Sequence, residues 1–539
     1  MIGRTRQAGA RAAGAALLAT FALTAAPTAH ATTTTACPPT SSLASAATLR
    51  TLNAAEWKFG ARPTGSVAHE QFVDWLEARL RRIPGVRLRE QRFTIRRWTA
   101  QTSTLQLRVG DRAVALPVAG PVPSSGATGA AGVTAPLVVV ADDAPISAAT
   151  AAGKIVVREA PRGSVPLNVF ANPLLSWAEY DPTHMIDQAG TYQGDFMNYD
   201  KRLQDMQDAD RAGAAGIVFL KDLPRAQIVG HDEPYEGLAY KTPGLWLGSD
   251  ESKAIRDALA GGGQPQATIT LRATTRPVTT RTLLATIPGA SQQRLVIDSH
   301  TDGTNAVEDN GPIAMLTMAR YFAGLPRGCR AKTIELAFST AHFYQRVKGP
   351  DVHVRDGGSE QVAEQLDRDY DKGTVDAVVV LEHLGALEYA VQPRPDGIGM
   401  TLRRTGKPEL ALVGVSDSPK LVSAVQDEVR RYDLRRTALL KGADAPGDHV
   451  PVHCSFGGEG TPYNRHLLPT VATIAAPQTL YDPGWGLEGI DFGLMRRQVL
   501  AYTSLLRRLD GMSRGAIAGN VTKLRQQRKA GAATCPWAP

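Results

Sequence analysis

Short apolar runs that end abruptly in polar clusters alternate along this chain with stretches of helical periodicity. The runs Leu283 to Ile287, Leu295 to Ile297, Ile334 to Phe338, Ala377 to Leu381 and Thr470 to Ala475 read as buried strands. Between them lie helical patterns at 310–324, about 359–370, 418–432 and 492–509. In the first of these, Ile313, Leu316, Ala319 and Phe322 recur at three-residue steps, which places them on one face. Strands separated by helices predict an α/β fold over residues 282–510, with a mixed, mostly parallel sheet sandwiched by helices.

Upstream, Gly60 to Ser66 is a turn-rich loop feeding a helix from Ala68 to Arg82, with Phe72, Val73, Leu76 and Leu80 on its apolar face. Arg92 to Thr94 and Thr104 to Val109 alternate as strands do. Residues 43–109 thus pass from helical to extended character. From 110 to 275 the composition shifts toward Gly, Ala and Pro, and short strand-like runs appear at Leu137 to Ala141, Lys154 to Val157 and Gly216 to Leu220. This stretch therefore differs in character from both of its flanks. Within it 160–200 lacks periodicity and is expected to form long loops, Thr274 to Thr282 is expected to be a linker, and 511–539 a basic tail.

With 539 residues the chain is too long for one ordinary domain. Its 43% hydrophobic and 21% charged content is that of a folded globular protein. The net charge is +8, falling to +5 without Arg4, Arg6 and Arg11, and the basic residues are scattered apart from Arg514 to Lys529. That pattern describes a solvated surface and gives no reason to expect a nucleic-acid partner. Residues 1–31 have a basic start, an Ala/Leu-rich core from Ala12 to Ala26, and Ala29-His30-Ala31, the layout of a secretory signal cleaved near Ala31. No other stretch approaches eighteen unbroken apolar residues, so an exported chain without a membrane span is expected. Export permits disulfides, and the four cysteines allow three pairings. Cys37 with Cys535, both in Pro-flanked tails, leaves Cys329 with Cys454.

Chemistry collects where strands end. Ser299-His300-Thr301-Asp302 follows one run, and its loop continues through Glu308-Asp309-Asn310-Gly311. Thr340-Ala341-His342 follows a second run and Glu382-His383-Leu384-Gly385 a third. Gly447-Asp448-His449 and Phe456-Gly-Gly-Glu-Gly460 precede the run at 470. In a parallel sheet the carboxyl ends share one edge, so His300, Asp309, His342 and Glu382 are placed to converge there. Imidazole and carboxylate together suit a divalent transition metal, zinc first. The plainer account of any one of these histidines is a structural side chain satisfied by a backbone carbonyl.

The order of these motifs resembles the secreted zinc-dependent aminopeptidase family with two co-catalytic zincs, which also includes glutaminyl cyclases and the transferrin-receptor ectodomain. Ala61 to Ser66 with its helix resembles the family's N-terminal segment, Ser299 to Asp302 its His-x-Asp motif, and Glu308 to Gly311 its bridging-Asp loop. Lys154 to Val157, Ala212 to Leu220 and Thr242 to Ser249 resemble pieces of the protease-associated domain that many members insert. The resemblance implies a metallopeptidase removing N-terminal residues from peptide or protein substrates. It implies His300 and Asp309 as metal ligands, Asp302 as the acid that orients the His300 ring, and Glu382 as the later acidic ligand.

Two family features are missing. The Glu-Glu pair that supplies a general base and a ligand falls on Thr340-Ala341-His342-Phe343, which has no carboxylate. The last metal histidine falls near Leu480 to Pro483, where Tyr481 or Asp482 would have to substitute. His300, Asp309 and His342 then form a three-ligand set with an open fourth position, holding one zinc, or two if the second site is rebuilt. Glu382 is the candidate general base and His449 the runner-up. The alternative is a homologue whose site has decayed and which acts as an extracellular binding module.

Overall fold

The computed structural model describes residues 37–233, 239–344, 358–441 and 456–531. Residues from Pro38 onward form one compact unit. Its organising feature is a long antiparallel ribbon in which Arg87–Val109 pairs with Gln266–Ile287 from Arg87↔Thr286 to Arg108↔Gln266. The stretch expected to be a linker, 274–282, lies inside that second strand. It is rich in Thr, Arg and Val, and each residue finds a cross-strand partner in the ladder.

The two ends of the ribbon carry different strands. At one end Ala267 to Ile269 pair with Val133–Val139, which leads through Ile155–Glu159 and Gly216–Leu220 to Gly244–Leu247, all parallel to one another. At the other end Leu283 to Ile287 pair antiparallel with Thr333–Ser339. From there Thr333–Ser339, Arg294–His300, Val375–Leu381 and Thr470–Ala475 run parallel. Ala411–Val415, Thr437–Leu440 and Ser176–Tyr180 complete that edge. The last of these strands comes from the region expected to be loops. So do Gly163–Pro166 and Thr191–Gly194, which pair with each other.

Helices cover both faces, as the sequence pattern predicts. Leu283, Leu295, Ile297, Phe338 and Val379 point to one side, against Phe72 and Leu76 of Val67–Leu80, Ile313 and Leu316 of Gly311–Gly324, and Leu505 of Phe492–Asp510. Leu284, Val296, Ala337 and Val378 point to the other, against Val362 and Leu366 of Gly358–Asp371. Fully burying a Leu, Ile or Phe side chain contributes about 1.5–3 kcal/mol, so these alternating positions fix which face each strand presents. The tail expected after 511 continues as Arg514–Ala518 and Val521–Lys529, with Arg525 and Arg528 donating to Asp371 and Asp367. Cys37 and Cys329 are both disulfide-bonded. Cys454 and Cys535 lie outside the described residues, and the expected pairings lie there with them.

Candidate metal centre

The parallel strands end side by side. His300 is the last residue of its strand and sits opposite Ser339, three residues before His342, while Glu382 and His383 directly follow Leu381. A glycine is required where the next helix begins: a Cβ on Gly311 would lie 2.0 Å from Ser299 Oγ and 2.2 Å from Leu381 O. Asn310 ties the two loops, donating to Leu384 O at 2.8 Å and accepting from Leu384 N at 2.9 Å. His383 and Ala341 both adopt the left-handed region, at φ 54° and 81°. Such backbones cost about 1–3 kcal/mol each and persist where surrounding contacts enforce them.

Three imidazoles and two carboxylates meet in this crevice. His300 Nε2 lies 3.7 Å from a Glu382 oxygen and 3.8 Å from a Glu308 oxygen. Glu308 is also 3.8 Å from His342 Nε2 and 4.0 Å from His383 Nε2. Donors on a tetrahedral zinc at 2.0–2.2 Å stand roughly 3.3–3.6 Å apart, so a modest contraction brings these atoms to bonding distance.

The other ring nitrogens decide what each histidine can do. His300 Nδ1 donates to Asp302 O at 2.8 Å, and His383 Nδ1 donates to Ala475 O. With the proton fixed on Nδ1, both Nε2 atoms present a lone pair. Both are buried without a hydrogen-bond partner, as are Glu308 Oε2 and Glu382 Oε2. Three of these, His300 Nε2, His383 Nε2 and Glu382 Oε2, lie together, and Glu308 faces the same histidines with its other oxygen, Oε1; unpartnered buried atoms so placed are expensive unless something binds them. The residues therefore fit a divalent cation. His342 differs: its Nδ1 lies 2.7 Å from Glu459 Oε1, and it is the most exposed of the group, at 12%. Glu459 also accepts from Ser339 Oγ at 3.1 Å, and its backbone N–H donates to Glu382 Oε1 at 2.9 Å.

Burial dominates the electrostatics. It pushes the Glu382 carboxyl up to about 8 and, with Asp309 and Asp302 nearby, raises Glu308 well above the carboxylate range. It also pushes His383 down to about 3 and lowers His300. All four groups are thus biased toward their neutral forms, and a divalent cation among them would reverse the carboxyl bias. For His342 burial is outweighed by the Glu459 hydrogen bond and charge, which raise it to about 9, while burial of Glu459 is outweighed by His342, leaving it at about 2.

The expected site residues fall into three groups. His300, His342 and Glu382 meet in the crevice. Asp309 is adjacent but turned away: Arg62 Nε holds one of its oxygens at 2.7 Å and Arg62 Nη2 holds the other, so Glu308 faces the histidines instead. Asp302 orients His300 through its backbone carbonyl, not its carboxylate, which accepts from Thr64 Oγ1, Ala341 N and Phe343 N. Asp482 pairs with His231 at 2.6 Å, and Tyr481 is buried in an aromatic cluster with Phe343. His449 lies outside the described residues.

No family model matches the sequence, and no curated protein matches it. Solved structures do. A zinc aminopeptidase from Bacillus subtilis, BSAP, aligns with a TM-score of 0.56 at 15% identity, over 87% of this chain and 97% of its own. The peptidase M28 precursor of Shewanella amazonensis SB2B aligns at 0.57 and 15%, over 87% and 93%. An aminopeptidase from Aneurinibacillus sp. strain AM-1 aligns at 0.52 and 15%, over 86% and 93%. This is an aminopeptidase-like fold.

Within that aminopeptidase-like fold, Glu308, His383 and Glu459 are the site residues that sequence reasoning did not select. Each was in a motif already singled out: Glu308 beside Asp309, His383 beside Glu382, and Glu459 in the Gly-rich run before the last strand. Which of two adjacent residues points inward depends on the loop backbone, and no periodicity reports that.

Proposed function

We propose that this protein is an exported zinc-dependent aminopeptidase that hydrolyses peptide N-termini, with residues 110–275 acting as a protease-associated domain inserted between 43–109 and 282–510. Export rests on the leader-like residues 1–31 and agrees with disulfide-bonded cysteines. No helix among the described residues is long and apolar enough to cross a membrane.

The observation that carries the reading is the set of three unpartnered buried atoms, His300 Nε2, His383 Nε2 and Glu382 Oε2, with Glu308 Oε1 facing the same histidines. These residues would hold the metal. Zinc, when bound, supplies a Lewis acid that polarises a carbonyl and acidifies water. The remaining chemistry belongs to the chain. His342 presents Nε2 to the same crevice with a carboxylate behind Nδ1, the pairing that stabilises an imidazolium. With a divalent cation in the crevice, His342 falls from its raised value and its Nε2 is free to take the proton of the attacking water and return it to the leaving amine, while Glu459 carries the compensating charge. It thereby fills the role left open by the missing Glu-Glu pair.

The test is zinc content and hydrolysis of free and N-terminally blocked peptides by the mature chain and by His342→Ala. The reading expects bound zinc in both proteins, cleavage of the free peptide only, and a loss of roughly 100-fold or more in kcat for the variant. Bound zinc without turnover of any peptide would favour the non-catalytic alternative. Absence of zinc binding would overturn the metal reading.

A further inference from the structure

A second cluster of buried charge lies in the segment between the two ribbon strands. Arg202 Nε donates to Glu233 at 2.7 Å and Lys221 Nζ to Asp195 at 2.9 Å. His231 stands between them, with Nε2 2.8 Å from Glu233 and 3.1 Å from Lys221 Nζ. Asp195, His231 and Glu233 have the spacing of metal ligands, but the Lys221 ammonium and the Arg202 guanidinium already supply the cations. The ring's other nitrogen leaves the cluster altogether: His231 Nδ1 donates to Asp482 Oδ1 at 2.6 Å.

Asp482 belongs to the loop after the last parallel strand, and that loop leads back to the metal centre. Asp232 N also donates to Tyr481 O at 3.0 Å, so two consecutive residues grip two consecutive residues. From the other side, Asn305 Nδ2 lies 2.9 Å from Thr479 O, 3.1 Å from Leu480 O and 3.3 Å from Asp482 O. Thr304 Oγ1 donates to Leu480 O at 2.6 Å. Asn305 Oδ1 then accepts from Val307 N at 3.0 Å and Glu308 N at 3.2 Å, which fixes the backbone of Glu308 itself.

We propose that the His231–Asp482 pair is a positioning device, through which the segment between the ribbon strands holds loop 479–482 and, by way of Asn305, sets Glu308 in the metal centre. The ligand role of Glu308 rests on the function proposed above. Stability alone does not account for the pair. Buried ion pairs are often no more stable than apolar packing of the same volume, and the second Asp482 oxygen has no hydrogen-bond partner. What a buried, directional pair supplies is register: loop 479–482 has one position in which both ends of the chain of contacts close. An aspartate thus stands near where the resemblance places a metal histidine, and it works through the loop instead of on the metal.

The test compares Asp482→Asn with Arg158→Met. Arg158 pairs with Asp205 elsewhere in the same segment, at 2.7 and 3.0 Å, and touches neither the loop nor the site. Three quantities are read: thermal midpoint, zinc affinity by chelator competition, and hydrogen exchange at the Val307 and Glu308 amides. The device predicts that Asp482→Asn weakens zinc about 10–100-fold, as loss of an outer contact to a metal ligand does, and speeds both amides at least tenfold. Arg158→Met lowers the midpoint and leaves zinc affinity and those two amides unchanged. His231→Gln reads the same contact from its other partner if Asp482→Asn does not fold. Unchanged exchange in the Asp482 or His231 variant, or equal changes in Arg158→Met, overturns the proposal. Faster exchange in a protein that binds no zinc upholds the device and removes the metal reading instead.

Discussion

Arg62 grips both oxygens of Asp309, with Nε at 2.7 Å from one and Nη2 on the other, and neither side chain is exposed. The same guanidinium reaches Glu56 at 3.3 Å and Asn305 O at 3.3 Å. An acid expected to bind metal is therefore the anchor of the N-terminal helical segment on the site loop. Arg62→Met leaves Asp309 buried without its cation, which is expected to lower stability by about 3–5 kcal/mol. Urea denaturation of the variant beside the natural protein checks this.

The neighbours Glu308 and Asp309 separate by role. Glu308→Gln is expected to weaken zinc binding by tenfold or more while leaving the thermal midpoint nearly unchanged. Asp309→Asn is expected to do the reverse, because its partner is Arg62. Titration with zinc under chelator competition, with a melting curve for each variant, decides it. Zinc loss confined to Asp309→Asn would sink the ligand set proposed here.

Gly458 guards Glu382. Its φ is +44°, and a Cβ there would lie 2.4 and 2.6 Å from the two Glu382 oxygens. Gly458→Ala is expected to displace that carboxylate and to lower both zinc affinity and peptide hydrolysis at least tenfold. An alanine variant with natural zinc affinity would mean that Glu382 does not contribute to the centre.

Glu459 acts through His342, so its loss should appear in turnover more than in binding. Glu459→Gln keeps the shape and removes the charge that offsets an imidazolium. It is expected to lower kcat roughly 10–100-fold with KM little changed. Steady-state kinetics on a free tripeptide separates the two parameters.

His466 supplies a pH dependence of its own. Burial opposes its charge, but hydrogen bonds to Asp367 and Glu360, each at 3.1 Å, raise it to about 9. The unfolded ring titrates near 6.5, so the folded state prefers the ionised form. The contribution, on the order of 3 kcal/mol, is fully present below about pH 6.5 and is lost as pH rises through 9. Unfolding free energies at pH 6 and 9.5 should differ more for the natural protein than for His466→Gln.

Much of the fold was legible because burial imposes a period. All five strands read from 283 onward, and the helices at 310–324 and 492–509, appear where the pattern put them. The stretch at 274–282 misled because its Thr- and Arg-rich ribbon, largely exposed over 274–279, shows little apolar alternation: cross-strand hydrogen bonding holds it, and the partner is some 180 residues distant. Ser176–Tyr180 was missed because it is a short edge strand whose partner, Thr437–Leu440, lies far along the chain.

By itself, then, the sequence determined the α/β alternation, the strand ends where polar residues gather, and the presence of His300, His342 and Glu382 among them. Those follow from local periodicity and from where apolar runs stop. Only the tertiary structure decided which residue of each adjacent pair turns inward. Arg62 draws Asp309 away and leaves Glu308 facing the histidines. The left-handed backbone at His383 turns its ring into the crevice beside Glu382. Glu459 arrives from a loop 117 residues after His342, and Asp482 is claimed by His231 from 251 residues before it. These choices rest on contacts between segments far apart in the chain, and such contacts leave no period for a sequence to display.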